Sequence, residues 1–249
     1  MCNFLSALVT KDGRLLCNPF LDSHEQIIDF FGMQKSDKDK FIQKFVRVEF
    51  IPKDDDYFDV DNYKLRIDED SKPDWFTEFE ERITNELKDK IKSLIIDKAT
   101  DKILCGGVYI VRDSKILWTR FTRMVVLKNS QVNEMRENSQ VNTMRGNSQV
   151  NEMRGNSQVN AMRGNSQVNT MRGNSQVNTM RENSQVNEMW RNSQVNEMRE
   201  NSQVNEMWRN SQVNEMWENS QVNTMRENSQ VNTMRGNFKS TKKPKEDKR

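Results

Sequence analysis

From Asn129 to Gly236 the chain consists of twelve uninterrupted copies of one nonapeptide, Asn-Ser-Gln-Val-Asn-x-Met-(Arg/Trp)-x. The odd period is the constraint. An α-helix turns about 100° per residue, so nine residues turn about 900° and end half a turn out of register. Successive valines would face opposite sides, and no apolar stripe could form. One straight strand fails too, because side chains alternate and an odd period reverses the face at every copy. The surplus residue has to be absorbed once per copy, and a corner is the natural place for it.

A coil of short strands, stacked on the equivalent strands of its neighbours, meets that requirement. Two nonapeptides per coil make an 18-residue flattened β-solenoid, the arithmetic of nonapeptide β-roll repeats. One per coil encloses too little core. Val at position four and Met at position seven are expected inside. The Gly-Asn-Ser and Glu-Asn-Ser junctions are expected to turn the corners, where Gly and Asn tolerate left-handed geometry. Asn, Ser and Gln stacked at about 4.8 Å are expected to hydrogen-bond to their own kind. Twelve copies then give six coils and about 29 Å of solenoid.

Variation between copies supports this. Positions one to five and seven never change, whereas six is Glu, Thr or Ala, eight is Arg or Trp, and nine is Glu, Gly or Arg. Confinement to three positions assigns the other six to the architecture. The competing reading is a disordered low-complexity tract, since two or three apolar residues in nine is little to bury.

Charge divides by segment. Residues 1–128 carry 22 Lys/Arg and 24 Asp/Glu, the repeats 11 Arg and 11 Glu, and residues 237–249 six basic and two acidic residues. The net charge of +2 therefore belongs to the terminal stretch. The broad basic face of a general nucleic-acid binder is not evident. Cys2, Cys17 and Cys105 are odd in number, widely spaced and without a CxxC pair. That argues against a disulfide framework or a zinc site and fits a reducing cytosol. The opening MCNFLSALVTKDG lacks the basic leader of a signal peptide. No apolar run approaches the ~20 residues of a membrane span. The expectation is a soluble cytoplasmic chain that needs no cofactor.

The first 128 residues read as an α+β head and solenoid cap. NFLSALVTKDGRLLCNP predicts two strands joined at Lys11-Asp12-Gly13, with Asp-Gly supplying positive φ angles. DSHEQIIDFFG predicts a short helix: Ser23 and Gln26 have capping-box spacing, Gly32 sits at the C-cap, and Ile27, Ile28, Phe30 and Phe31 form its buried side. FVRVEFI (45–51) alternates as a half-buried strand does, and NYKLRI (62–67) is its partner. The clearest helix follows, with Ser71 as cap, Pro73 in its first turn, and apolar residues from Trp75 to Ile95 at three-and-four spacing. KILCGGVYIV and KILWTRFTRMVVL predict strands that run into the first repeat and cover that end of the solenoid. At the other end, Asn237-Phe238 begins a thirteenth copy with Phe in place of Ser, a lid ahead of a solvated basic tail.

Candidate chemistry is sparse. Position eight supplies the main surface feature: Arg136, Arg145, Arg154, Arg163, Arg172, Arg181, Arg199, Arg226 and Arg235, with Trp190, Trp208 and Trp217 replacing Arg in neighbouring copies. Stacked Arg binds phosphate or carboxylate, but the equal number of Glu points to internal neutralisation. The three Trp are expected to form one aromatic patch, either a protein-contact hot spot or packing along a coil edge. Cys2, once Met1 is removed, could act as an N-terminal nucleophile with His24 assisting. The plainer reading makes Cys2 a small buried residue and His24 a first-turn helix residue. The acidic run around Asp59 and Asp61 places Tyr63 and Lys64 where an EF-hand needs a ligand and Gly, so calcium binding is rejected. Asp68, Glu69 and Asp70 are assigned to the approach of the following helix.

The words MCNF, DSHE, FVRVEF, DNYKLRIDEDSKPDWF and KILCGGVYIV, followed by NSQVNEMW, carry a resemblance. The chain resembles uncharacterised proteins of bacteriophages and gut bacteria in which a similar N-terminal domain precedes tandem SSQVGEMWG repeats. The resemblance implies a phage or bacterial origin and transfers no active-site residue. This chain departs from it in Asn for Gly at position five and mostly Arg for Trp at position eight. The resulting expectation is a non-enzymatic repeat protein: head and cap over 1–128, β-solenoid over 129–236, cap start and tail over 237–249. It would serve as a binding or spacer surface for a protein partner, with end-to-end self-pairing invited by an imperfectly capped β end. The alternatives are a Cys2 amidohydrolase and a polyanion binder acting through the Arg column.

Overall fold

The alternating apolar residues near the N-terminus pair into an antiparallel sheet. The computed structural model describes residues 5–21, 23–33 and 44–236, divided into units Met1–Ile95 and Ile96–Arg249. In the first unit, β1 (Leu5–Thr10) and β2 (Leu15–Leu16) form the expected hairpin. Only Gly13 has a positive φ, 79°. Asp12 instead accepts hydrogen bonds from Thr10 Oγ1 and Arg14 Nε, and these hold its carboxyl below the usual range. β3 (Phe45–Ile51) pairs with β1 on one side and β4 (Lys64–Ile67) on the other, in the order β2-β1-β3-β4. As an inner strand it is buried on both faces, Glu49 included, where a half-buried strand was expected.

α1 (His24–Phe30) starts where Ser23 Oγ accepts the Gln26 N–H at 3.2 Å. It stops in a Schellman arrangement: Met33 N–H reaches Ile28 O at 2.9 Å and Gly32 N–H reaches Asp29 O at 3.2 Å. Ile27 and Ile28 pack with Leu8 and Phe45. Phe30 and Phe31, expected on that side, are 62% and 37% exposed. Phe30 lies about 200° round the helix from Ile28, and Phe31 falls on the cap, beyond the last helical residue.

The second helix also starts differently from expectation. Pro73 is extended (φ −67°, ψ 142°), Ser71 does not cap, and a 3-10 turn over Asp74–Glu78 precedes α2 (Glu80–Leu94). A proline disfavours helical geometry in the residue before it, so the chain enters through the separate turn that buries Phe76. Ile83, Leu87 and Ile91 form the buried stripe of α2.

The second unit is the β-solenoid. It opens with β5 (Ile95–Asp97), β6 (Lys102–Cys105), β7 (Val108–Arg112), β8 (Lys115–Arg120) and β9 (Arg123–Lys128). Each nonapeptide then adds one strand, from Gln131–Arg136 in copy one to Gln230–Arg235 in copy twelve. Odd copies extend the sheet of β6 and β8, and even copies extend that of β5, β7 and β9. Pairing is parallel and joins residues 18 apart: Gln131 with Gln149, Val132 with Val150, Met135 with Met153. Two nonapeptides therefore make one coil.

Coiling begins before the repeats. Ile116 and Thr119 stack under Val132 and Met135, and Met124 and Leu127 under Val141 and Met144. Here Lys115 lies opposite Gln131 and Arg123 opposite Gln140, so these coils contain 16 and 17 residues. Their corners are single left-handed residues: Asp113, Phe121 and Asn129, with φ near 50°. In the repeats the left-handed residue is position nine, whether Gly, Glu or Arg, and Asn at position one follows it as a second corner residue.

Val and Met of copies one to ten are fully or nearly fully buried, and Ser at position two joins them inside. The inward steps are thus two residues (Ser to Val), three (Val to Met) and four (Met to the next Ser). Only the three-residue step is odd. Pairing runs through Gln, Val, position six and Met and passes over Asn at position five. The surplus residue is therefore absorbed in mid-strand at Asn five, not at the corner as expected.

Asn five pairs with its own kind in unbroken ladders on both sheets, for example Asn187 Nδ2 to Asn169 Oδ1 at 3.0 Å and Asn205 Nδ2 to Asn187 Oδ1 at 2.9 Å. Asn at position one forms longer contacts of 3.3–3.4 Å in the middle coils. The expected Ser ladder does not form. A hydroxyl cannot span a coil spacing of about 4.8 Å, and Ser148, Ser220 and Ser229 donate to carbonyls of position eight at 2.7–2.9 Å. In the last coil Val231 is half-buried and Met234 is 45% exposed. The Asn237-Phe238 lid and the basic tail lie outside the described residues.

Three outcomes test this architecture. Cysteines introduced as Arg154→Cys with Arg172→Cys should form a disulfide under oxidation, because stacked Cα atoms about 4.8 Å apart suit the bond; Arg163→Cys with Arg172→Cys should not. Asn187→Ala removes two ladder bonds and should cost about 1–3 kcal/mol in chemical denaturation. Arg191→Gly relieves a left-handed non-glycine (φ 63°) and should stabilise by about 1 kcal/mol in the same assay.

Candidate functional site

Position eight follows an inward Met, so its side chain stands on the outer surface. The 18-residue coil sorts the twelve residues into two columns on opposite sheets. Arg136, Arg154, Arg172, Trp190, Trp208 and Arg226 follow Arg120 on the first; Arg145, Arg163, Arg181, Arg199, Trp217 and Arg235 follow Lys128 on the second.

On the first face, acidic residues at position six lace the arginines together. Glu134 meets Arg136 Nη2 at 2.5 Å and Arg154 Nε at 2.9 Å. Glu152 meets Arg154 Nη2 at 2.7 Å and Arg172 Nε at 3.2 Å. Each carboxylate thus joins the Arg of its own copy to that of the next coil. Hydrogen bonding to Glu152 raises the Arg154 guanidinium above its ordinary value. Arg120 pairs likewise with Glu137 at 2.8 Å. With the arginines about half exposed, such pairs add little stability and screen with salt; their consequence is that this face offers few uncompensated cations.

Further along, Trp190 and Trp208 stack with centroids 4.9 Å apart and ring planes within 3°. Their indole N–H groups donate to Glu188 at 2.9 Å and Glu206 at 3.0 Å, and the Arg226 guanidinium lies 4.3 Å from the Trp208 ring centre. Trp217 stands on the other face, nine residues from Trp208. There it lies between Arg199 at 5.7 Å and Arg235 at 4.6 Å and donates to Glu215 at 3.1 Å. The single aromatic patch expected from the sequence is therefore divided between two sheets, because nine residues are half a coil.

The second face has a different charge pattern. Arg199 pairs with Glu197, but Arg145, Arg163 and Arg181 stand beside Thr143, Ala161 and Thr179. At the adjoining corner, the Gly164 N–H donates to the Glu182 carboxylate at 2.7 Å, and the Glu182 N–H to the Glu200 carboxylate at 2.9 Å. Sequence reasoning missed this segregation. The ion pairs of the first face join residues as far as 20 apart, such as Glu134 and Arg154, a signal readable only once the coil length is known.

The other candidates are structural or lie elsewhere. Cys2 is outside the described residues. His24 is 5% exposed, its Nε2 3.0 Å from Val48 O and its Nδ1 3.2 Å from Asp68 Oδ2, tying α1 to β3 and the end of β4. Asp68 and Glu69, assigned from sequence to the helix approach, instead serve His24 and the backbone N–H of Arg47, the latter at 3.2 Å. Asp61 faces Lys88 and Lys92 at 3.6 and 3.9 Å. Burial pushes the half-buried Cys17 thiol up, away from a reactive thiolate.

A stacked aromatic pair contributes about 0.5–1.5 kcal/mol beyond its buried area, so a double-mutant cycle of Trp190→Arg with Trp208→Arg in chemical denaturation should show coupling of that order, and one of Trp190→Arg with Trp217→Arg should show none. No family model, curated protein or solved structure matches the chain.

Proposed function

We propose that the chain is a non-enzymatic scaffold whose solenoid holds variable side chains on a stiff frame for a protein partner. One observation carries this reading: the three positions that differ between copies all lie on the outside or at the corners, whereas Ser, Val, Met and the laddering Asn never change. Trp at position eight is not needed to build a coil, since nine other copies have Arg there. Half-buried Trp beside Arg, gathered into copies seven to ten, has the composition of a contact hot spot. The resemblance to phage and gut-bacterial repeat proteins fits a chain that engages or masks a host protein, with repeat number setting its reach. A reducing cytoplasm suits Cys17 and Cys105, which carry no disulfide. No described helix is long and apolar enough to cross a membrane.

The test exploits the repeat itself. Replacing Trp190, Trp208 and Trp217 by Arg, the residue of the sister copies, should preserve the circular dichroism of the coil. Tagged native chain expressed in a bacterial host should retain a defined partner that this variant loses. Identical retention by both, or none by either, would overturn the proposal.

A further inference from the structure

The two faces of one coil stack differ in how their arginines are compensated, and the difference points to a ligand. We infer that the second face carries a binding strip for an acidic peptide segment, centred on Arg163 and Arg181 and continued by the corner amide of Gly146. The inference rests on the scaffold reading and gives it a partner class.

Over the same coils, Arg136, Arg154 and Arg172 of the first face are each bound to Glu134 or Glu152. On the second face position six is Thr143, Ala161 and Thr179. Among the described residues, no carboxylate lies within ion-pair distance of Arg163 or Arg181. Arg181 Nε is moreover buried without a hydrogen-bond partner.

The protein itself shows where a carboxylate fits. Glu182 places its own on the Gly164 amide, one coil below, and Glu200 repeats the contact on the Glu182 amide. The next step down differs, because the residue above Gly146 is Gly164, which has no side chain. A Cβ built on Gly164 would lie 3.2 Å from the Gly146 nitrogen, so a side chain there would meet that amide. The corner beside Arg145 thus has the geometry of a carboxylate seat without an internal carboxylate.

From the Gly146 amide to Arg181 the strip spans two coils, about 10 Å, or three residues of extended peptide. Nucleic acid fits less well. Bases stack on open aromatic faces, whereas these coils contain no Trp on this face and Trp217 is covered on both sides by Arg199 and Arg235.

The experiment is fluorescence anisotropy of a labelled hexaglutamate peptide with the full chain at low salt. Native protein should bind, more weakly as salt is added. Arg163→Gln with Arg181→Gln should weaken binding about tenfold or more. Arg136→Gln with Arg154→Gln removes the same charge from the first face and should change little. Gly164→Glu should also weaken binding, by seating an internal carboxylate at Gly146 as Glu182 does at Gly164; Glu occupies position nine in five copies, so the coil tolerates it. Circular dichroism checks that each variant is folded. No binding by the native chain, equal loss from either face, or tighter binding of a thymidine hexanucleotide would each overturn the assignment. Failure here with Trp-dependent partner capture intact would sink the strip and leave the scaffold standing.

Discussion

The stacking of each coil on the next in 18-residue register is the interaction on which the whole second unit depends. One nonapeptide offers only Val and Met to a core, and neither can be shielded from water by its own copy. Shielding comes from the coil above, the coil below and the opposite sheet. Because the copies are chemically alike, a slip of one full coil within the repeats would put Val on Val and Met on Met again. Unique sequence has to set the alignment, and β6 to β9 supply it. Ile116, Thr119, Met124 and Leu127 occupy the inward places in coils whose 16 and 17 residues no repeat can imitate.

The nine-residue period then has one mechanical solution. Two inward side chains three residues apart require the strand to change face between them, and a residue at the change leaves the regular pairing. Asn is suited to that post because its amide both donates and accepts, so each one bonds upward and downward along the axis. The kink is matched by a side-chain ladder, and the strain of a broken alternation is shared by every coil. The corners follow a different rule. From the end of copy one onward, left-handed geometry falls on position nine, where Gly adopts it without steric penalty and Glu or Arg does so at some cost.

The surface is a by-product of the same winding. Neighbours along a column are alternate copies, so a change of copy number by one would carry every downstream residue to the opposite face, while a change by two would only lengthen the stack. Compensation of charge is therefore a property of columns and not of copies. On one face Glu and Arg alternate closely enough to lace together. On the other, three consecutive Arg stand beside Thr, Ala and Thr. Equal numbers of Arg and Glu in the repeats conceal this asymmetry.

The solenoid, its two copies per coil and its inward Val and Met were legible in the sequence, because a nine-residue period is incompatible with a helix or a straight strand whatever surrounds it. The Ser23 cap and the hairpin at Gly13 were legible for a similar reason: their hydrogen bonds close within a few residues. Tertiary structure alone decided the rest. The double burial of β3, the outward Phe30 and Phe31, and the fresh start of α2 depend on what each segment packs against. The lacing of one face, and with it the difference between the two, depends on residues 20 apart becoming neighbours. Local sequence carries the rules for a turn, a cap or a period, but contact across coils exists only after the chain has wound.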